Sequence, residues 1–106
     1  MIGQPDAAES QLIFAALSDA TRRRMLKLLG ENASSASRLS APLGISRQAT
    51  AKHLRILVDA GLAKSRRDGR EIVFELVLGG LVPASDYIRG LKAGFEVQLV
   101  EAAKLG

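Results

Sequence analysis

The sequence has no cysteine and a single histidine, His53. Without cysteine the chain can form neither a disulfide nor a thiolate metal site, and thiol redox switches are excluded as well. One imidazole is too few for the set of four nitrogen and sulfur ligands that a tight zinc site requires. We therefore predict no metal and no cofactor. The absence of cysteine fits a protein of the cytoplasm, which is the location we predict.

Aromatic residues and long apolar runs are also scarce. There is no tryptophan, and the four aromatic residues are Phe14, Phe74, Tyr87 and Phe95. We therefore expect a core of leucine, isoleucine, valine and alanine. No apolar run approaches the roughly 20 residues that span a bilayer. The N-terminal segment carries two acidic residues and no apolar stretch of the signal-peptide type, so we predict no membrane partner.

The sequence contains none of the usual patterns of an active site. There is no nucleophile beside a base, no phosphate-binding loop and no pair of carboxylates at a catalytic spacing. An enzyme is therefore not predicted. The chain has 106 residues, which suffices for one domain with a single modest core, and we assign residues 1–106 to that domain.

The charge of the chain is unevenly distributed. Residues 38–70 contain eight basic and two acidic side chains, a net charge of +6, whereas the rest of the chain carries a net charge of −2. A basic block in an otherwise slightly acidic domain is typical of a surface that binds a polyanion.

Residues 46–61 have the pattern of one amphipathic helix. Ser46 is a good N-cap, and Gly61 suits the left-handed position after the last turn. One side forms an apolar stripe at helical spacing: Thr50, Leu54, Leu57, Val58 and Gly61. The other side carries cations for phosphates, an amide for a base edge and a small residue that permits close approach: Arg47, Gln48, Ala51, Lys52 and Arg55. This pattern indicates a DNA-binding helix, although an ordinary solvated basic surface has the same composition.

Three helices are predicted before this one. The first follows a loose tail of residues 1–5 and has Asp6 as its cap, and the second covers about residues 20–29 between an Asp19 cap and a stop at Gly30. In the second, the run Arg22-Arg23-Arg24 is more typical of a solvated surface than of a phosphate contact.

The third helix is short and makes a helix-turn-helix with the DNA-binding helix. Residues 31–35 are a polar connection, and Ser35 or Ser37 caps the helix that follows. Gly44, Ile45 and Ser46 then form a tight turn. Two helices joined by a short glycine-containing turn, the second amphipathic and basic, are a helix-turn-helix.

After residue 61 the apolar period changes to that of strands. Residues 62–67 and 71–77 are predicted strands, joined by Asp68-Gly69 as a type I′ hairpin turn. Ile72, Phe74 and Leu76 fall on one side of the second strand. The hairpin tip carries arginines at positions 66, 67 and 70. A helix-turn-helix followed at once by such a hairpin is a winged helix, which argues against a merely solvated basic surface. The predicted fold is mainly α with a small β-hairpin wing, about five helices and two strands.

A last helix begins at Pro83 and is unusually apolar. It has more apolar surface than a small domain can cover by itself, which indicates a partner and most simply a second copy. The alternative is that the helix folds onto its own core. We predict a dimer interface made by the terminal helices, about residues 7–18 and 84–104, with these residues: Leu12, Ile13, Ala16, Tyr87, Ile88, Leu91, Phe95 and Leu99.

Three blocks of the sequence resemble the ArsR-type winged helix-turn-helix repressors. They are LSDATRRRMLKLL (17–29), LGISRQATAKHL (43–54) and LVDAGLAKSRRDGRE (57–71), and the match spans about residues 13–78. The resemblance implies a homodimer built from the first and last helices, recognition helices in successive major grooves and wings beside the minor groove. It also implies promoter binding that blocks transcription.

The chain departs from the metal-sensing members of that family. Those members carry cysteines in the third helix, where this chain has Ser35-Ala36-Ser37-Arg38-Leu39. Others carry Asp and His ligands in the last helix, where this chain has Asp86 and Glu96 but no histidine. Ala51 also stands where many members have serine. The resemblance therefore implies a repressor without classical metal sensing.

The predicted partner is double-stranded DNA, bound by a sequence-specific dimer at a pseudo-palindromic promoter site. The alternative is a winged-helix module that binds an acidic protein or RNA through its basic side. His53 has three interpretations: a DNA or helix-packing contact, a metal ligand without partners, or a pH switch. The predicted DNA-binding residues of the recognition helix are Ser46, Arg47, Gln48, Thr50, Ala51, Lys52, His53 and Arg55, and those of the wing are Lys64, Arg66, Arg67 and Arg70.

Overall fold

The computed structural model describes residues 5–105, and the side chains of residues 8–104. Within this part of the chain there are five helices and two strands. In chain order they are α1 (Pro5–Leu17), α2 (Ala20–Glu31), α3 (Ala36–Leu43), α4 (Arg47–Asp59), β1 (Ala63–Asp68), β2 (Glu71–Leu76) and α5 (Val82–Leu105). The predicted fold class, a mainly helical winged helix-turn-helix, is confirmed.

Short polar side chains determine where three of the helices begin. Asp19, Ser35 and Ser46 each accept a hydrogen bond from the backbone N–H three residues later, at 3.1, 3.2 and 3.0 Å. Such a cap satisfies an amide of the first turn that has no partner inside the helix. Of the two candidate caps for α3, the structure uses Ser35. Gly44 then ends α3 in the left-handed conformation, with φ 69°.

Two predicted helix boundaries are wrong. α1 already begins at Pro5, because proline lacks the N–H that a first helical turn leaves unused. The predicted tail residues 1–4 and the Asp6 side chain lie outside the described residues. α2 runs through Gly30 to Glu31, and the backbone N–H of Asn32 closes it by donating to the carbonyl of Leu28 at 3.1 Å.

The three consecutive arginines of α2 cap the ends of neighbouring helices. Arg22 donates to two carbonyls in the last turn of α1, and Arg23 donates to the Leu17 carbonyl at 2.6 Å. Arg24 donates to the Pro42 carbonyl near the end of α3 at 2.9 Å. The last carbonyls of a helix lack intrahelical partners and carry partial negative charge. These guanidinium groups therefore help to hold the helix ends. Arg23 and Arg24 are exposed, as expected for a solvated run, and only Arg22 is half-buried.

The core lies between α1 to α4 and the base of the hairpin. It consists of small and aliphatic side chains, with no aromatic ring among the buried residues that the structure describes: Ile13, Ala16, Met25, Leu29, Leu39, Leu43, Leu54, Leu57, Leu62, Ala63 and Ala84. Ile13 and Ala16 are 1% and 0% exposed. The prediction that these two residues form part of an exposed dimer stripe is wrong, because α1 turns them inward against its own chain.

The hairpin is one residue longer at its tip than predicted. β1 and β2 pair in antiparallel register up to Asp68 and Glu71, which leaves Gly69 and Arg70 as the turn. Gly69 has φ 64°, and no described residue other than glycine has a positive φ. A type I′ turn needs positive φ at both central residues, whereas type II′ needs it only at the first. The predicted type I′ turn is therefore wrong, and Arg70 stands at the apex.

An isolated antiparallel bridge joins the wing to the segment between α2 and α3. The N–H of Ser34 donates to the carbonyl of Phe74 at 2.9 Å, and the N–H of Phe74 donates to the carbonyl of Ser34 at 2.8 Å. The polar connection between α2 and α3 thus pairs with β2. On β2, Phe74 and Leu76 pack partly against the core. Ile72, nearer the tip of the hairpin, is 43% exposed, whereas Val73 on the other side of the strand is 4% exposed.

α5 packs on α1 and then extends past it. The rings of Phe14 and Tyr87 meet edge to face, with centroids 5.8 Å apart. Ala84 is buried, but the described side chains from residue 85 onward are all exposed. Only the start of α5 therefore folds onto its own core. Among the helices that the structure describes, none is long and apolar enough to span a bilayer.

Candidate nucleic-acid interface

α4 presents the predicted basic side to solvent. Thr50, Leu54 and Leu57 are buried and attach the helix to the core. On the opposite side the exposed residues are Arg47, Gln48, Ala51, Lys52 and Arg55. The helix is therefore rigidly seated and offers cations, an amide and a small residue on one accessible surface.

Thr50 cannot contact DNA from this position. Its side chain is 0% exposed, and its hydroxyl donates to the backbone carbonyl of Ser46 at 2.8 Å. The prediction that Thr50 belongs to the DNA-binding residues is wrong, because it occupies the buried stripe of the helix and its hydroxyl is already satisfied.

His53 faces α2 with one ring nitrogen. The ring is half-buried, and Nδ1 lies 3.2 Å from Nη1 of Arg22. A guanidinium only donates hydrogen bonds, so Nδ1 accepts, and the neutral ring carries its proton on Nε2. The helix-packing interpretation of His53 therefore holds, and its Nδ1 edge is unavailable to DNA.

Asp19 completes this junction of α1, α2 and α4. The pKa of its carboxyl is held below the ordinary value, chiefly by the hydrogen bond from the backbone N–H of Arg22. Partial burial opposes this effect, whereas the positive charge of the Arg22 guanidinium lowers the pKa further. The junction thus holds a carboxylate, a guanidinium and an imidazole in close proximity.

The four basic residues of the wing differ in their surroundings. Glu75 lies 3.7 Å from the ammonium of Lys64 and 3.8 Å from the guanidinium of Arg66, which is also 3.8 Å from Asp68. Arg67 and Arg70 have no ion-pair partner in the part of the chain that the structure describes. Long, exposed ion pairs of this kind are weak, but they give Lys64 and Arg66 carboxylate neighbours within the hairpin.

An open groove of about 490 Å³ separates α4 from the hairpin. Arg55 of α4 and Ser65 of β1 lie on its two sides, and the complete lining is Ala51, Arg55, Val58, Asp59, Ser65 and Phe74. Ser65 was not among the predicted site residues. Side chains alternate between the two sides of a strand, so Ser65 lies on the same side of β1 as Arg67, and this spacing could have predicted its position.

The basic side of the third helix is tied to the wing. Arg38 donates to the carboxylate of Glu71 at 2.7 Å, in an exposed ion pair between α3 and β2. Within the described side chains, no three His, Asp or Glu residues lie close enough together to hold a metal ion.

Comparison with known proteins agrees with this geometry. A family model for a helix-turn-helix domain matches residues 17–66. The chain is 37% identical over 97 residues to the Bacillus subtilis (strain 168) protein YuzN, an uncharacterized HTH-type transcriptional regulator, which covers 85% of this chain and 97% of that protein. It also superposes on an ArsR-like transcriptional regulator from Rhodococcus sp. RHA1 with a TM-score of 0.85, at 37% identity and 94% coverage of both chains. The chain belongs to the ArsR family of winged helix-turn-helix transcriptional regulators.

A more distant ArsR-type structure shares the fold. It is the homodimeric winged helix-turn-helix DNA-binding domain of a possible ArsR-family regulator from Mycobacterium bovis, with a TM-score of 0.64 at 21% identity, covering 100% of this chain and 96% of that one. The resemblance seen in the sequence blocks is thus confirmed, and the family consists of transcriptional regulators rather than enzymes.

Proposed function

We propose that this ArsR-family regulator is a dimeric repressor that binds a pseudo-palindromic promoter site through two copies of α4. The observation that carries the proposal is the exposed side of α4, where Arg47, Gln48 and Lys52 project from a helix held by a fully buried opposite stripe. Cations position such a helix on phosphates, and its N-terminal residues meet base edges in the major groove.

The second copy is supported by an apolar surface that the chain leaves open. Six predicted interface residues are between 42% and 70% exposed: Leu12, Tyr87, Ile88, Leu91, Phe95 and Leu99. They lie on α1 and α5, which pack against each other. A contiguous apolar surface of this kind usually marks an association site, and the structurally similar domain from M. bovis is a homodimer. In a two-fold dimer the two copies of α4 address half-sites about 10 bp apart or a multiple of that spacing.

Selection of bound sequences from a random duplex pool tests the proposal. The expected result is a two-fold symmetric motif whose binding resists excess random DNA at physiological salt. A single half-site without symmetry would contradict the dimeric mode. Tight binding of RNA or of an acidic protein, with no preference among duplexes, would identify the basic side as an interaction surface of another kind.

Gln48→Ala is expected to relax the base preference at one position in each half-site. The amide of an exposed glutamine near the start of the recognition helix can pair bidentately with adenine, and such a pair contributes roughly 1–3 kcal/mol of discrimination. Repeating the selection with the variant measures this preference. Lys52→Ala is the matched control on the same surface, and it should weaken all sequences alike. A Gln48→Ala motif identical to that of the wild type would show that Gln48 does not contact bases.

Arg67→Ala and Arg70→Ala are each expected to weaken binding to all duplexes and to lower the salt slope by about one unit. The reason is that these wing guanidinium groups are free to reach phosphates or the minor groove. Arg66→Ala is the control within the same hairpin, and it should change the slope less because Asp68 and Glu75 already attract Arg66. A loss confined to one base pair of the site would indicate direct base contact instead.

Zn²⁺ or arsenite at micromolar concentration is expected to leave the protein on its DNA. A tight zinc site requires four ligands, mostly sulfur or imidazole, and the sequence contains no cysteine and one histidine. A gel-shift titration with each ion measures the effect. Release that a chelator reverses would contradict this part of the proposal.

A further inference from the structure

Arg22 joins three helices through one guanidinium group. Its Nε donates to the Ala16 carbonyl at 2.7 Å and its Nη2 to the Ala15 carbonyl at 3.1 Å, both in the last turn of α1. Its Nη1 donates to Nδ1 of His53 in α4 at 3.2 Å. Arg22 itself belongs to α2 and is half-buried. One side chain thus connects the helix that borders the apolar surface with the helix that carries the basic surface.

We propose that Arg22 is a positioning residue for operator binding, which acts by holding His53 and therefore α4 in a fixed orientation against α1. This inference rests on the proposed function, because α1 and α5 form the proposed dimer interface and α4 the proposed DNA contact. In a two-fold dimer, the orientation of α4 relative to α1 determines the distance between the two recognition helices. That distance must match the spacing of the half-sites.

The contact requires that His53 is neutral. A protonated imidazole donates from both nitrogens and has no acceptor left, so protonation places two donors and two positive charges against each other. The charged groups near the ring are Arg22 of α2 and Asp19, the N-cap of α2. α1 contributes the backbone carbonyls of Ala15 and Ala16 to the junction. On α4 itself, the neighbours one turn away are not ionisable: Ala49, Thr50, Ile56 and Leu57. The carboxylate of Asp19 attracts a protonated ring, but the hydrogen bond that this carboxylate accepts comes from the backbone N–H of Arg22.

The sign of the pH effect separates this role from a DNA contact. If the neutral ring positions α4, operator affinity falls as the pH drops through the range in which histidine gains its proton, about pH 8 to pH 5.5. If His53 instead faces phosphate, its positive charge strengthens binding as the pH drops. His53 is the only histidine, so a His53 variant isolates the contribution of the imidazole to the pH dependence.

The experiment measures the Kd for the selected operator at about pH 8 and about pH 5.5, at constant ionic strength, with circular dichroism as a check of folding. We expect the wild type to lose about tenfold in affinity at the lower pH, as for a hydrogen bond to a charged group. His53→Asn, whose side-chain oxygen supplies an acceptor that does not titrate, should bind with little pH dependence.

Two arginine variants complete the design. Arg22→Gln should weaken operator binding about tenfold at the higher pH, lose most of the pH dependence and keep the wild-type salt slope. Arg23→Gln is the matched control, because Arg23 also caps α1 but forms no hydrogen bond or ion pair with the described residues of α4. It should keep the wild-type pH dependence.

Several results would overturn the inference. Stronger wild-type binding at the lower pH would assign His53 to the DNA, and a wild-type Kd independent of pH would show that its protonation state does not matter. A salt slope lowered by about one unit in Arg22→Gln would assign Arg22 to a phosphate. The His53→Asn comparison decides the matter even if Arg22→Gln fails to fold. If the wild type selects no sequence at either pH, the proposed function has failed instead.

Discussion

Phe95→Asp is expected to convert the dimer into a folded monomer and to abolish operator binding. Phe95 is the largest wholly apolar side chain of the exposed stripe on α5 and is 59% exposed in the single chain, so folding of the chain does not depend on it. Truncating a buried Phe costs about 3–5 kcal/mol, and a two-fold interface suffers the change twice. The substitution also introduces an unpaired charge into a desolvated surface.

Sedimentation alongside a gel-shift assay measures both consequences, with circular dichroism to verify the helical content. Ala93→Asp is the matched control. This substitution makes the same change of charge on the same exposed helix. Ala93 is two residues before Phe95, so its side chain points roughly 160° away from that of Phe95 around the helix axis. A folded Phe95→Asp protein that remains dimeric and binds its operator normally would place the dimer interface elsewhere.

Gly80→Ala is expected to destabilise the fold by about 1–3 kcal/mol, as overpacking of a closed site does. A Cβ at position 80 would lie 2.5 Å from the carbonyl oxygen of Gly61, 3.1 Å from that of Val77 and 3.2 Å from the Cα of Leu62. All three atoms belong to the backbone, so no side chain can rotate away to make room. The segment leading into α5 would have to move away from the end of α4.

Thermal unfolding measures this cost, since each kcal/mol shifts Tm by about 4–8 °C in a domain of this size. Gly79→Ala is the adjacent control, because a Cβ at position 79 meets no atom within 4 Å and the residue does not adopt a positive φ. It should be neutral, or stabilise by about 0.4–1 kcal/mol through the unfolded state. Equal melting temperatures for the two variants would show that the segment leading into α5 can move to accommodate the Cβ without loss of stability.

Much of the local structure follows from the sequence alone. The caps at Asp19 and Ser46 and the left-handed glycine at position 44 act over a few residues, so their residue types suffice to predict them. The amphipathic pattern of α4 likewise predicted which residues face solvent, including Gln48 and Arg47. The wing was correctly predicted as a hairpin, but its turn type was predicted wrongly. The strands pair for one residue more than expected, so the turn consists of Gly69 and Arg70 instead of Asp68 and Gly69.

Only the tertiary structure decided what covers each apolar or basic surface. Leu12, Ile13 and Ala16 form one apolar group in the sequence, yet Leu12 is exposed while the other two are buried against their own chain. Periodicity locates an apolar side but does not name the element that covers it. The same holds for polar side chains: Arg22 and His53 are 31 positions apart, and their contact arises because α2 and α4 pack together. Short-range preferences therefore determined the helices and the hairpin, whereas packing between distant segments determined which residues remain free to bind DNA or a second copy.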